Sequence, residues 1–263
     1  MALKVGVFGA GGRMGSTVCR AVAADSELEL VAAVDPHHAG IDLLQIVGEG
    51  VPALEIAKAA DALAHEGAVV GVDFTELDAA RENLRWMADN GVHAVVGTTG
   101  FTDEDYEWIA EAFTDSNCLV APNFAIGAVL MMRFAELAAP YFDTAEVIEM
   151  HHDAKVDAPS GTAVNTLRRM AEASGDWAPD PTEHESVEHA RGGRGPGDLR
   201  VHSVRMRGVV AHQEVLLGTT GQTLTIRHDS YDRESFMPGV LRAVKAVSGR
   251  PGLTVGLDDL LEI

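Results

Sequence analysis

A stretch of fourteen residues, 149–162, concentrates side chains that move protons and hold anions. Its proton-donating or cationic side chains are His151, His152 and Lys155. Just after them, Ser160-Gly161-Thr162 has the composition of a helix start, in which Ser160 would be the N-cap and the free N–H groups attract anions. The combination predicts a pocket for a small carboxylate substrate that has to be protonated.

The order of these residues leaves two questions open. Glu146–His151 has the pattern of a β-strand, and if the strand reached His152, the two histidines would point to opposite faces. A bend at Asp153 could bring His152 back beside Lys155. Either Lys155 or His151 could act as the general acid, and the sequence favours neither.

Other polar residues are weaker candidates. Arg233 could make an interdomain or a substrate contact, whereas His212 lies in a strand-like segment and is expected to be structural. His184 and His189 belong to the segment Asp176–Gly197, which is rich in Pro, Gly, Glu and His. We expect a long solvated loop there rather than a metal site, and we predict no metal elsewhere.

A glycine-rich turn near the N-terminus indicates a dinucleotide site. Gly9 suits a tight turn after the first strand, and Gly11 and Gly12 would let a pyrophosphate approach the backbone. The third glycine of the pattern falls one place late, at Gly15. Because a helix is expected to start within this turn, its amide groups could bind the phosphates.

Asp35 ends the second predicted strand, where a carboxylate can accept hydrogen bonds from both hydroxyls of the adenosine ribose. The same carboxylate would repel a 2′-phosphate. The next residues, Pro36, His37 and His38, bring no Arg or Lys. We therefore predict that NADH binds at least as well as NADPH.

The first half of the chain alternates strands with helices, which is typical of a parallel sheet covered on both faces. The predicted strands are Leu3–Gly9, Leu28–Asp35, Ala68–Phe74, Val92–Val96 and Leu119–Ala121, and the predicted helices are 12–24, 78–90 and 102–115, the last capped by Thr102. The turns 97–100 and 121–124 follow strands of this sheet, and ligands of such sheets bind outside the carboxyl ends of the strands.

The pattern changes near residue 125. A long apolar helix is predicted over 126–141, followed by strand-like segments joined mostly by short turns, which indicates an antiparallel or mixed sheet. These segments are 146–151, 201–207, 211–218 and 222–228, and 236–247 is again helical and could pack on the first domain. We expect an α/β protein with a Rossmann-like doubly wound parallel sheet in residues 1–125 with 236–263. A second, α+β domain, 126–235, would bind substrate and form the oligomer.

Composition narrows the class of protein. The chain has 263 residues and a net charge of −20, so binding to nucleic acid or to an anionic membrane is not expected. An anionic substrate must therefore be collected by a local cationic pocket. The cysteines, Cys19 and Cys118, lack metal-ligand spacing and are predicted to be buried thiols in a cytoplasmic protein. No apolar run is long enough for a membrane span.

Several motifs in this order resemble the dihydrodipicolinate reductase (4-hydroxy-tetrahydrodipicolinate reductase) family over essentially the whole chain. The most specific is the run from His151-His152 through Lys155 to Ser160-Gly161-Thr162. The others are the glycine turn 9–15, Asp73-Phe74-Thr75, the turn 97–101 and Pro122-Asn123-Phe124. The resemblance implies a homotetramer that reduces 4-hydroxy-tetrahydrodipicolinate with NADH or NADPH, releasing water, on the diaminopimelate route to lysine.

The resemblance also implies roles for particular residues. His151 would be a proton donor or acceptor and Lys155 a proton donor, while His152, Gly161 and Thr162, beside Ser160, would bind the dicarboxylate substrate. The cofactor would be held by Gly9, Ala10, Gly11, Gly12, Arg13, Met14, Asp35, Gly97, Thr98, Thr99, Ala121, Pro122, Asn123 and Phe124. Ala154 departs from many members, which carry another histidine there, so we expect altered affinity rather than lost chemistry. Asp35 replaces the Glu-Arg pair of some members, which weakens the case for NADPH preference.

Two other functions fit parts of the pattern. Another two-domain nucleotide-dependent reductase, of the homoserine or sugar dehydrogenase type, would share the glycine turn and a catalytic lysine. A redox sensor could bind NADH without turnover. Neither needs two histidines and a lysine beside a helix start that binds anions, so both are less favoured.

Overall fold

The structure, a computed structural model, describes residues 2–263 and divides into two compact units. The first unit is the described chain up to Phe124 together with Phe236–Glu262, and the second is Ala125–Ser235 with Ile263. Each unit has its own sheet and its own helices.

The first unit contains a six-stranded sheet in which all strands are parallel, so the predicted fold class is confirmed. Its strands are β1 (Leu3–Phe8), β2 (Leu28–Val34), β3 (Val70–Asp73), β4 (His93–Val96), β5 (Cys118–Val120) and β11 (Leu253–Val255). Their spatial order is β11-β5-β4-β3-β1-β2. The strands are short apolar runs because helices cover the sheet, and Val5, Val72 and Val95 are fully buried.

The first unit contains seven α-helices among the residues that the structure describes. They are α1 (Arg13–Ala24), α2 (Leu43–Val47), α3 (Asp61–Glu66), α4 (Leu77–Asp89), α5 (Asp103–Ala112), α8 (Met237–Ala246) and α9 (Asp258–Leu261). Thr102 caps α5 in a capping box with Asp105, as predicted. The predicted end of that helix at 115 is wrong, because the backbone of Phe113 leaves the helical region. As predicted, α8 packs in the first unit, against α1.

The sequence missed four elements of this unit: α2, α3, β11 and α9. All four are short, at three to six residues. Elements of this length carry too few residues to show a hydrophobic period, so tertiary contacts decide whether they form. Strand β11 illustrates this, since it completes the parallel sheet by pairing with β5.

The second unit contains a mixed five-stranded sheet in the order β10-β9-β6-β8-β7. Its strands are β6 (Thr144–His151), β7 (Gly193–Arg194), β8 (Arg200–Arg205), β9 (Ala211–Thr219) and β10 (Gln222–Ser230). Strand β6 pairs parallel with β8, and the other pairs are antiparallel. Two helices, α6 (Ile126–Ala138) and α7 (Gly161–Ala173), pack against each other, and α6 also packs against β10.

Several boundaries in this unit differ from the prediction by a few residues, and two differences are larger. Helix α6 ends at Ala138 rather than Tyr141, and a 3₁₀ turn, Ala139–Tyr141, follows it. Pro140 lies in that turn, where its missing N–H cannot continue the helical hydrogen bonds. The segment predicted as a loop, Asp176–Gly197, contains β7 and enters a second 3₁₀ turn, Pro196–Asp198.

Candidate functional site

The glycine turn of the first unit has the backbone that a phosphate site requires. Gly9 has φ +65°, and its carbonyl accepts a hydrogen bond from Gly12 N–H at 2.9 Å. A Cβ on Gly15 would lie 2.0 Å from the Gly9 oxygen, so only glycine lets helix α1 approach β1 this closely. Helix α1 starts at Arg13 with no side-chain cap, which leaves its first amides directed at the turn.

A cleft of about 650 Å³ opens beside this turn. Its lining includes Gly9, Gly12, Asp35, His37 and Thr75. Asp35 therefore lies in the same cleft as the glycine turn, and its contact with a ribose stays a prediction. Its side chain also braces the turn, because Oδ2 accepts from Gly11 N–H at 3.0 Å and Oδ1 accepts from His37 N–H at 2.9 Å.

The other predicted cofactor residues follow neighbouring strands of the same sheet. Residues 97–99 come after β4, and residues 121–124 come after β5, which pairs with β4. The Thr98 hydroxyl donates to the Thr75 carbonyl at 2.8 Å, while Thr99 is exposed. Phe124 is buried, and its ring centroid lies 5.6 Å from that of Phe74, so its side chain belongs to the core beneath this edge of the sheet.

Asp73 organises that edge, which the sequence had marked only weakly. Its carboxylate is fully buried and accepts from the Thr75 amide, the Thr75 hydroxyl and the Asn83 amide, each at 2.7 Å. Burial raises the pKa of Asp73, although these hydrogen bonds oppose the shift. The Asp73 side chain thus links the end of β3 to Asn83 of α4 and orients Thr75. The Thr75 carbonyl in turn accepts the hydrogen bond from Thr98.

In the second unit, the predicted proton-transfer residue His151 is held by a buried carboxylate. His151 Nδ1 lies 2.6 Å from Oε2 of Glu149, whose side chain is fully buried. Arg205 donates to both carboxylate oxygens of Glu149 at 2.8 Å, and Ser160 N–H donates to Oε1 at 3.2 Å. This cluster, Glu149, His151, Arg205 and Ser160, joins β6, β8 and the start of α7.

Burial and the neighbouring charges together shift the pKa values of Glu149 and His151. Burial alone would raise the pKa of Glu149, but hydrogen bonds from Arg205 and His151 outweigh it and hold the pKa below its ordinary value. Burial lowers the pKa of His151, more than the Glu149 carboxylate raises it. His151 is therefore neutral near pH 7, with its proton on Nδ1 facing Glu149 and a lone pair on Nε2.

Sequence reasoning missed Glu149 and Arg205. A signal for Glu149 was present, because residues i and i+2 of a strand share a face and place its carboxylate beside His151. No local signal marks Arg205, which reaches the site through the pairing of His151 with Arg205 across β6 and β8.

The chain turns immediately after β6. Strand β6 ends at His151, His152 N–H donates to Val210 O at 3.3 Å, and Lys155 N–H donates to His152 O at 3.1 Å. The bend proposed at Asp153 is thus present. Lys155 Nζ binds both carboxylate oxygens of Asp157, at 2.7 and 2.8 Å, and this ammonium lowers the pKa of Asp157.

Ser160 is the N-cap of α7, as predicted, and its hydroxyl accepts from Ala163 N–H at 3.2 Å. An added Cβ at Gly161 would meet no atom within 4 Å, so the helix start is open at this residue. Helix α7 has thirteen residues, and the amides and dipole at an open helix start of this kind favour an anion.

The weaker candidates have other surroundings. Both ring nitrogens of His212 are engaged, with Nδ1 2.6 Å from Asp229 and Nε2 accepting from Val210 N–H at 3.2 Å, which agrees with a structural role. Arg233 lies in a 3₁₀ turn, and nothing in its surroundings assigns it a substrate contact. His184 and His189 are exposed, and across residues 2–263 no group of three or more His, Cys, Asp and Glu side chains could hold a metal ion.

Cys19 and Cys118 are buried free thiols, as predicted, and burial raises the pKa of Cys19 to about 12. Among the residues that the structure describes, no helix has the length and apolarity needed to cross a bilayer.

Comparison with known proteins places both units in one family. The model for the N-terminus of dihydrodipicolinate reductase matches residues 3–124, and the model for its C-terminus matches residues 127–261. A Cutibacterium acnes protein named 4-hydroxy-tetrahydrodipicolinate reductase is 50% identical over 266 residues and covers 98% of each chain. A Nocardia farcinica protein of the same name is 49% identical over the full length of both.

A solved structure of a dihydrodipicolinate reductase is also similar to this chain over nearly its whole length. Dipicolinate-bound dihydrodipicolinate reductase from Paenisporosarcina sp. TG-14 superposes with a TM-score of 0.84 at 41% identity, covering 98% of this chain and 99% of that one. An amine dehydrogenase from Mycobacterium smegmatis, at 17% identity and a TM-score of 0.62, shares the fold alone. The matched family models and full-length relatives confirm the resemblance seen in the sequence: this chain belongs to the dihydrodipicolinate reductase family of oxidoreductases.

Proposed function

We propose that this chain reduces 4-hydroxy-tetrahydrodipicolinate to tetrahydrodipicolinate, with loss of water, at the expense of a nicotinamide dinucleotide. The observation that carries the proposal is the cluster around Glu149 in the second unit. It presents a neutral imidazole beside an open helix start, and Lys155 lies on the turn between His151 and that helix. The first unit of the same chain has a dinucleotide turn. Relatives about 50% identical over the full chain bear the name of this activity.

Residues of the first unit would hold the cofactor. The amides of the turn 9–14 suit the pyrophosphate, Asp35 suits the adenosine ribose, and the strand ends 97–99 and 121–124 suit the nicotinamide end. The bound nicotinamide would supply the hydride. Asp35 brings a negative charge to the ribose side, so we propose that NADH is used at least as well as NADPH.

The second unit would bind the substrate, a cyclic dicarboxylate. One carboxylate fits the start of α7 at Ser160-Gly161-Thr162, where backbone amides and the helix dipole favour an anion. His152 and Lys155 supply positive or proton-donating groups on the turn before it. A bound carboxylate would compete with Asp157 for the Lys155 ammonium, because that ammonium already holds a carboxylate.

Loss of the ring hydroxyl as water gives a conjugated imine. Hydride addition to that imine ring leaves negative charge on the adjacent carbon or nitrogen, and a general acid must donate a proton there. The surroundings of His151 favour Lys155 as that acid. The proton on His151 Nδ1 is committed to Glu149, and Nε2 carries a lone pair, which makes His151 a hydrogen-bond acceptor near neutral pH. Lys155 would release its proton from Nζ to the substrate and regain one from solvent.

A coupled assay tests the activity. Substrate is generated in the cuvette by the preceding synthase, and the loss of nicotinamide absorbance is followed with NADH and with NADPH. We expect cofactor oxidation that depends on the synthase. The proposal fails if an active synthase and folded protein give no oxidation with either cofactor.

Variants connect that activity to the site. Lys155→Met should reduce turnover by roughly 10²–10⁴. Arg207→Gln is the matched control, since it removes an exposed cation that pairs with Asp153 of the same turn. We also propose a cytoplasmic homotetramer, which light scattering would test as a particle four times the mass of one chain.

A further inference from the structure

His37 and His38, which follow β2, have no part in the function proposed so far. The ring of His38 nevertheless lies on the dinucleotide turn. A Cβ added at Gly11 would fall 2.3 Å from His38 Nδ1 and 2.7 Å from its Cγ. The ring therefore packs directly on the glycine at which the backbone must come close to a bound dinucleotide. A dinucleotide that approaches the backbone at Gly11 has to contact this ring or displace it.

The ring also has an unused polar atom. His38 Nδ1 is buried and has no hydrogen-bond partner among the residues that the structure describes. It lies 3.2 Å from Asp35 Oδ1, which also accepts the His37 N–H, while Asp35 Oδ2 accepts the Gly11 N–H. A buried polar atom without a partner is unfavourable, and protonation of this imidazole would convert the contact with Asp35 into an ion pair.

The backbone holds the ring at this position. His38 N–H donates to Asp35 O at 3.1 Å, and Ile41 N–H donates to His38 O at 3.2 Å, so the residue belongs to a closed turn. About one third of the side chain is exposed, which leaves part of the ring accessible to a ligand.

We propose that His38 is a residue that sets cofactor selectivity, by neutralising Asp35 in its protonated form and leaving Asp35 to repel a 2′-phosphate in its neutral form. The inference rests on the cofactor site of the proposed function. An imidazolium beside Asp35 adds one positive charge where NADPH carries its extra phosphate. NADH lacks that phosphate and gains much less. The preference for NADPH over NADH should therefore increase as the pH falls from about 8 to about 6, the range in which histidine titrates.

Other charges near the cleft do not produce the same signal. Asp35 is the carboxylate facing His38, and Arg13 lies in the turn itself. Lys58, Glu76 and Glu82 also line the cleft and are the same in every variant compared below. His37 also lines the cleft and is the neighbouring histidine, so it is the necessary control.

The test measures binding rather than turnover. Dissociation constants of NADH and NADPH are determined by fluorescence titration of the full chain at about pH 6 and about pH 8. In the unmodified protein we expect the ratio Kd(NADPH)/Kd(NADH) to rise by roughly tenfold from the lower to the higher pH. His38→Gln should lose most of this rise, whereas His37→Gln should retain it.

The 2′-phosphate itself titrates near pH ~6, but it does so equally in every variant, so the difference between variants isolates the histidine. His38→Phe, which keeps a ring on Gly11 without a charge, should behave as His38→Gln does. If His38→Gln kept the full pH dependence, or if His37→Gln removed it, the assignment would be wrong. Binding of both cofactors with no turnover would instead count against the proposed reaction alone. Binding of neither cofactor would overturn both.

Discussion

Glu149 Oε2 and His151 Nδ1 lie 2.6 Å apart on one face of strand β6, and the carboxylate is fully buried. A carboxylate so close to one ring nitrogen sets which nitrogen carries the proton, and it orients the imidazole. Arg205 keeps that carboxylate ionised by binding both of its oxygens. Glu149 and Arg205 are thus expected to act through His151 as positioning residues.

Glu149→Gln should mainly raise KM and change turnover less, as His151→Gln should, because glutamine no longer holds the proton on Nδ1 and the imidazole loses its orientation. It should also destabilise the protein by about 3 kcal/mol, since the Arg205 guanidinium loses a buried ion-pair partner. Steady-state kinetics and urea unfolding measure the two effects. In the double variant Glu149→Gln/Arg205→Met, stability should largely return and KM should stay raised. Recovery of both would show that Glu149 has only a structural role.

The pH dependence of kcat/KM should reveal the neutral form of His151. Burial lowers the pKa of His151 below the ordinary value of about 6.5, so activity should fall on the acid side only below that value. The Glu149 carboxylate raises this pKa, and Glu149→Gln should therefore move the acid limb to still lower pH. An acid limb that stayed in place in Glu149→Gln would assign it to another group.

Lys155 and His151 can be separated by single substitutions. Lys155→Met should lower turnover by a factor of about 10²–10⁴, because the proton donor is lost. His151→Gln keeps a hydrogen-bond acceptor and should mainly raise KM. The opposite pattern, with turnover intact in Lys155→Met and lost in His151→Gln, would transfer the acid role to the histidine.

Asp157 competes with the substrate for Lys155, because its carboxylate binds Nζ through both oxygens. Asp157→Asn should lower KM for the dicarboxylate by roughly 2–5-fold with little change in turnover, since exposed pairs contribute modestly. Asp153→Asn, which removes the exposed partner of Arg207, is the matched control and should leave KM unchanged. A higher KM in Asp157→Asn would mean that Asp157 orients the lysine for the substrate.

Acid sensitivity of the first unit should depend on Asp105. Arg81 binds both of its oxygens, at 2.9 and 2.7 Å, and holds the pKa of Asp105 well below its usual range. A lowered folded-state pKa stabilises the protein above the unfolded value of about 3.9 and loses that contribution as the pH falls. Asp105→Asn should lower Tm near neutral pH by roughly 3–6 °C and by less below about pH 4. An equal loss of Tm at both pH values would exclude the ion pair as the cause.

Much of the fold was predictable because it depends on local patterns. Alternating apolar strands and helices gave the parallel sheet, Thr102 and Ser160 marked two helix starts, and glycine spacing located the dinucleotide turn. Short elements such as β11 were not predicted, because three residues show no hydrophobic period. Strand β11 forms only by pairing with β5. The family was also recognisable, because its motif between His151 and Thr162 is contiguous.

The sequence by itself determined the fold class, the two helix caps and the residues at which chemistry is concentrated, since each of these is encoded within a few neighbouring positions. Only the tertiary structure decided the state of those residues. The guanidinium of Arg205 reaches Glu149 across 56 positions of sequence because β6 and β8 pair in one register, and His38 rests on Gly11 because the ends of β1 and β2 are adjacent. Burial and long-range pairing set protonation and charge, and neither is written in local spacing.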